Sequence, residues 1–120
     1  MYTVLVVDDE PANLQMVEYT LSDEYDVVPV KSGQMALKYL ENNIPDLILL
    51  DILMPQMDGF EFATAVRKVN KHIPILFMSA KDDLPSKQKG FQLGIDDYMV
   101  KPVNINEMVL RVGALLRRAQ

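Results

Sequence analysis

The chain alternates short, uniformly apolar runs with longer stretches whose apolar residues recur every three or four positions. Thr3–Val7 (T-V-L-V-V), Leu47–Leu50 (L-I-L-L) and Ile75–Met78 (I-L-F-M) show no polar alternation. Runs of this kind suit strands buried on both faces of a parallel sheet. Tyr25–Val30 (Y-D-V-V-P-V) reads as another strand, and its Pro29 predicts a sheet edge, because proline cannot donate to a ladder. Tyr98–Val100 supplies a short fifth. Between the strands, Pro11 favours a first helical turn, with Leu14, Val17, Tyr19 and Leu21 offering an apolar face. Ser32-Gly33 opens a second helix carrying Met35, Ala36, Tyr39 and Leu40, which Asn42-Asn43 and Pro45 close. Phe60, Ala63, Val66 and Val69 mark a third. A fourth, from Leu84 to Leu93, contains Pro85 and Gly90. Glycine costs about 1 kcal/mol relative to alanine inside a helix, so this one is expected to be the least stable. Gly94 ends it as the residue just past the helix. Asn104 and Glu107 form a capping-box-like start for a fifth helix, where Ile105, Met108, Val109, Val112, Leu115 and Leu116 repeat at helical spacing.

Five successive β-α units call for an α/β fold, a parallel sheet with right-handed crossovers and helices on both faces. At 120 residues and 49% hydrophobic content the chain is expected to form one domain, residues 1–120, with a single packed unit and no disorder. No cysteine is present, which removes disulfides and thiolate metal sites and fits a cytoplasmic, reducing setting. There is no apolar run long enough to span a bilayer, and Met1-Tyr2-Thr3 lacks the basic start of a secretory signal. The net charge of −5 makes this segment a poor binder of nucleic acid by itself.

Five polar residues fall at the carboxyl ends of the predicted strands: Asp8 and Asp9 after the first, Asp51 after the third, Ser79 after the fourth, Lys101 after the fifth. Open α/β sheets bind ligands at those ends. Three carboxylates gathered there repel; at about 5 Å and an effective dielectric near 20, each like-charged pair costs roughly 3 kcal/mol. Oxygen donors without His or Cys point to Mg²⁺, or Mn²⁺ in its place. One such ion and the Lys101 ammonium together balance the three negative charges.

The loop D-I-L-M-P-Q-M-D-G from Asp51 to Gly59, following a hydrophobic strand, resembles the phosphoacceptor loop of response-regulator receiver domains in two-component signalling. The resemblance covers essentially the whole chain. It implies a flavodoxin-like (βα)5 three-layer sandwich with strand order 2-1-3-4-5, of which a chemotaxis receiver of the same family is a standard example. It also implies roles. Asp51 accepts a phosphoryl group from a sensor histidine kinase. Asp9, Asp51 and the Leu53 backbone carbonyl hold the metal directly, and Asp8 holds it through water. Lys101 and Ser79 bind phosphoryl oxygens, small Ala80 leaves room, and Lys101-Pro102 matches the family's cis peptide. Tyr98 is the switch aromatic, turning into space that Ser79 vacates. The protein is then a switch that catalyses only its own phosphotransfer and autodephosphorylation.

G-I-D-D-Y-M-V-K-P, N-E-x-x-x-R and a terminal L-L-R-R are similar to the winged-helix (OmpR/PhoB-like) transcription-regulator branch, although Val103 stands where that branch usually has Phe. The branch implies homodimers on activation through the fourth helix, fifth strand and fifth helix, with Lys87 pairing Glu107 and Asp96 or Asp97 pairing Arg111 between chains. Any DNA contact belongs to an effector domain outside this chain; a stand-alone receiver or phosphorelay module is the alternative output. Singly, these motifs are commonplace. Asp8-Asp9 can cap a helix, Asp58-Gly59 can be only a turn, and the branch charges can be solvated. His72 reads as a surface loop residue and the methionines as core filler. Aspartate phosphatases share the fold and the metal but resemble D-x-D, and Leu53 stands at the second Asp. A dinucleotide domain needs a G-x-G-x-x-G that the first strand lacks.

Overall fold

Every second residue of the central strands faces the same layer of helices. The computed structural model describes residues 1–51, 59–79, 92 and 94–118. Its strands are β1 (Thr3–Val7), β2 (Asp26–Val30), β3 (Leu47–Asp51), β4 (Ile75–Ser79) and β5 (Asp97–Val100). They pair in parallel in the order β2-β1-β3-β4-β5, the flavodoxin-like order expected. Helices α1 (Pro11–Leu21), α2 (Gly33–Leu40) and α3 (Gly59–Val69) and a last helix, Ile105–Arg118, cover it. Leu5, Val7, Ile48, Leu50, Ile75 and Phe77 point to one side, against Ala36 of α2 and Phe62, Ala63 and Val66 of α3. Val4, Val6, Leu47, Leu49, Leu76 and Met78 point to the other, against Leu14, Val17 and Leu21 of α1 and Met108, Val112, Leu115 and Leu116 of the last helix. In the central strands β1 and β3, covered on both faces, no position is free to be polar until the strand ends, and the apolar runs record this.

The termini follow local chemistry. Pro11 stands at the start of α1, and Ser32 caps α2 by accepting the Met35 N–H at 3.1 Å. Asn104 Oδ1 accepts the Glu107 N–H at 3.0 Å at the start of the last helix. Pro29 lies on edge strand β2, as its missing donor required. Tyr25 was expected within that strand, but its N–H bonds Leu21 O at 3.0 Å and prolongs the end of α1, so β2 begins one residue later. Four residues assigned to helix faces are instead exposed: Tyr19 at 87%, Met35 at 50%, Val69 at 79% and Ile105 at 49%. Tyr19 lies two positions from the buried Val17, more than half a turn around the helix. Phe62, absent from the predicted face of α3, is fully buried. The predicted fourth helix, Leu84 to Leu93, falls almost entirely outside the described residues.

Arg67 of α3 fastens the far end of the sheet. Its Nε and Nη2 donate to Gly94 O at 3.1 and 2.8 Å, and its Nη1 donates to Ile73 O at 2.8 Å. Nη2 also lies 3.3 Å from Asp96 Oδ2, which accepts the Ile75 N–H at 2.9 Å. Gly94 has φ +86°, and a Cβ there would meet Arg67 Nε at 3.3 Å, so both backbone and packing favour glycine. Replacing Arg67 by Met is expected to cost roughly 2–3 kcal/mol, because the part-buried carbonyls of Ile73 and Asn70 lose their donor. Urea unfolding measures this; an unchanged midpoint would show that the clamp adds nothing.

Candidate functional site

Sheet register brings the strand ends level. Val7 pairs with Leu50, so Asp8 follows β1 beside Asp51, the last residue of β3. Asp51 pairs with Met78, and Ser79 pairs with Val100, which directly precedes Lys101. Carboxylate oxygens of Asp8, Asp9 and Asp51 all lie within 4.8 Å of one another. Asp8 is 0% exposed and Asp51 5%, whereas Asp9 is open to solvent. Burying two carboxylates this close is tolerable only with compensating positive charge. Lys101 supplies part of it. Its Nζ donates to Asp51 Oδ2 at 3.0 Å and to Asp8 Oδ2 at 3.3 Å. Burial by itself lowers the Lys101 pKa, but the hydrogen bond and charge of Asp51, then those of Asp8, outweigh it and hold the ammonium above its usual value.

Asp8 is further fixed by its own loop. Oδ1 accepts the Glu10 N–H at 3.0 Å, Oδ2 accepts from Asn13 Nδ2 at 3.3 Å, and the Asp8 N–H donates to Val30 O at 3.2 Å. It therefore shapes the turn into α1 rather than capping the helix; the capping position is Glu10, whose side chain makes no cap. Three carboxylates and one ammonium leave a cluster charge of −2. The donors are hard oxygens, which fits a divalent cation such as Mg²⁺ or Mn²⁺. Asn13 was not singled out from the sequence. Its only signal there was a polar residue one turn into the helix that starts at the site.

Tyr98 is 5% exposed and packs in the layer with Phe77, Ile95 and Phe62, so its ring already lies inward. The Lys101-Pro102 peptide is cis. Arg111 pairs within the chain: Nη1 donates to both oxygens of Asp97 at 2.7 and 2.8 Å, and Nη2 to Glu107 at 3.4 Å. The Asp97 hydrogen bond, working against burial, raises the Arg111 pKa. Asp96 is engaged by Arg67, as described. Of the charges expected to pair between chains, Asp96, Asp97, Glu107 and Arg111 are thus paired within this one. Beside them Val100, Ile105 and Leu110 are exposed at 36%, 49% and 71%, and a 490 Å³ surface pocket is lined by Asn104, Glu107, Leu110 and Arg111. His72 is exposed, in the loop before β4. Leu53, Ala80, Lys87 and the Ser79 side chain lie outside what is described. No helix among the described residues is long and apolar enough to cross a membrane.

The sequence profile of the response regulator receiver domain matches residues 4–113. The alkaline phosphatase synthesis transcriptional regulatory protein PhoP of Bacillus subtilis is 42% identical over 98% of this chain and 49% of its own length. The chain spans about half the length of the curated relatives it matches. Among solved structures, the receiver domain of Francisella response regulator 1452 superposes with a TM-score of 0.93 at 32% identity, covering 100% of both chains. The chemotaxis protein CheY4 of Vibrio cholerae gives 0.92 at 36% identity, covering 96% of this chain and 98% of that one.

Proposed function

Because the chain belongs to the response regulator receiver domain family, we propose that residues 1–120 form one receiver domain in which Asp51 accepts a phosphoryl group from a sensor histidine kinase. Receivers are signalling units of two-component systems rather than conventional enzymes. The observation that carries the assignment is Asp51 itself. It is nearly buried, stands at the end of a central strand, and shares an ammonium with a second buried carboxylate.

In the proposed transfer an Asp51 carboxylate oxygen attacks phosphorus, the phosphohistidine nitrogen leaves, and an acyl phosphate results. Asp9, Asp51 and the Leu53 carbonyl, with Asp8 through water, would hold Mg²⁺ or Mn²⁺. When bound, the ion supplies charge that offsets the phosphoryl oxygens. Lys101 gives up its bond to Asp51 and donates to a phosphoryl oxygen as a point charge. Ser79 donates to another, beside the small Ala80. Tyr98 already sits inward, so phosphorylation would hold that position against an outward one rather than create it; only differential contacts can bias the pair.

The output assigned is transcription control. The relatives named transcriptional regulators support it, as does the apolar surface of Val100, Ile105 and Leu110 beside β5. Phosphorylated chains would dimerise there, with Glu107, Asp96, Asp97 and Arg111 exchanging intrachain for interchain pairs and Lys87 pairing with Glu107 across the interface. Exposed pairs contribute about 0–1 kcal/mol each, so they set orientation more than affinity. DNA would be bound by an effector domain outside these residues, in the cytoplasm. Incubation with Mg²⁺ and a small-molecule phosphodonor is expected to add one phosphoryl group by intact mass, and a chelator to prevent it. No gain with Mg²⁺ present would overturn the assignment.

A further inference from the structure

We infer that Asn13 is a positioning residue for the acidic site: its amide holds Asp8 in the orientation that receives a divalent cation and tethers Glu10 at the rim. The inference rests on the acidic-site reading above and extends it to a residue of α1. Asn13 Nδ2 lies 3.3 Å from Asp8 Oδ2 and 3.4 Å from Glu10 Oε2. Both partners are carboxylates, which only accept, so the nitrogen rather than the oxygen of the amide must face them. The two amide hydrogens serve one carboxylate each.

A carboxylate offers about four lone-pair directions. Among the described residues three are taken on Asp8, by Glu10 N–H, Asn13 Nδ2 and Lys101 Nζ. The remaining one is thereby fixed in direction, on a buried side chain. Asn13 is itself carried rigidly. It precedes Leu14 in a helix whose Leu14, Val17 and Leu21 are buried against the sheet. The same amide restrains Glu10, a fourth carboxylate beside the cluster. Groups that orient a metal ligand commonly matter tenfold or more for metal affinity.

The test titrates Mg²⁺ by calorimetry into wild type, Asn13→Ala, Asn13→Asp and Asp9→Asn, with urea unfolding of each without metal. Asn13→Ala is expected to bind Mg²⁺ about tenfold more weakly. Asn13→Asp, which swaps the donor for a further charge, is expected to unfold at lower urea than Asn13→Ala without metal, and to gain more from Mg²⁺ than wild type does. A purely structural Asn13 would shift the metal-free midpoints and leave affinity alone. Equal Mg²⁺ affinity in wild type and Asn13→Ala, with Asp9→Asn weakened, overturns the role of Asn13 only. A wild type that binds no better than Asp9→Asn overturns the acidic site, and this inference with it.

Discussion

Replacing Asp51 by Asn is expected to abolish phosphoryl incorporation from both a histidine kinase and a small phosphodonor. The amide keeps the shape of the carboxylate but lacks its nucleophilic oxygen. The same change should stabilise the metal-free protein. Asp51 faces two carboxylates within 4.8 Å and one ammonium at 3.0 Å. At an effective dielectric near 20, two repulsions of roughly 3 kcal/mol each stand against one attraction of roughly 5 kcal/mol. Among these three groups alone, losing the charge favours folding by about 1 kcal/mol, and Asn can still accept from Lys101. Urea unfolding without metal should therefore move to higher midpoint as phosphorylation vanishes. A variant that is inactive but clearly destabilised would mean that Asp51 is held for structure, not kept strained for chemistry.

Lys101→Met should do the reverse to stability. It removes the cation that Asp8 and Asp51 share among the described residues, and breaking a buried pair from one side costs several kcal/mol. Because the Lys101 side chain retains 19% exposure, we set the loss at about 2–4 kcal/mol. Mg²⁺ should recover part of it by neutralising the same carboxylates. Since the folded state raises the Lys101 pKa above 10.5, the pairing is complete at neutral pH and is lost only as pH rises through the raised value. Loss of more than tenfold in phosphotransfer, with Mg²⁺-dependent rescue of stability, is the predicted pair of results. A Lys101→Met protein as stable as wild type without metal would contradict the electrostatic picture.

Much of the fold was legible because its signals are local. A strand buried on both faces must be apolar throughout, so Leu47–Leu50 could be read directly, and the first polar residue after it marked the ligand edge. Pro29 announced the sheet edge, and Asn104 with Glu107 announced the last helix. Helix faces were read less well. Tyr19, Val69 and Ile105 are apolar enough to be assigned inward, yet they stay exposed, and Tyr19 lies on the face opposite Leu14, Val17 and Leu21. At the site, Asp8, Asp51 and Lys101 could be placed together because each ends a strand in a fold whose strand ends converge. Long-range contacts away from the strand ends left no local trace. Arg67 reaches Gly94 and Asp96, 27 and 29 residues away, and only the packed structure reveals that clamp. Likewise the sequence could suggest that Arg111 meets Asp97, but not that it does so within one chain.

The most direct measurement is to locate the phosphoryl group. Wild-type protein is loaded with a small phosphodonor and Mg²⁺, reduced with borohydride to convert any aspartyl phosphate to homoserine, and mapped by peptide mass. Homoserine at position 51, absent without Mg²⁺ and absent in Asp51→Asn, is the predicted result. Label on His72, reduction at Asp8 or Asp9 instead, or labelling that persists in Asp51→Asn would contradict the account.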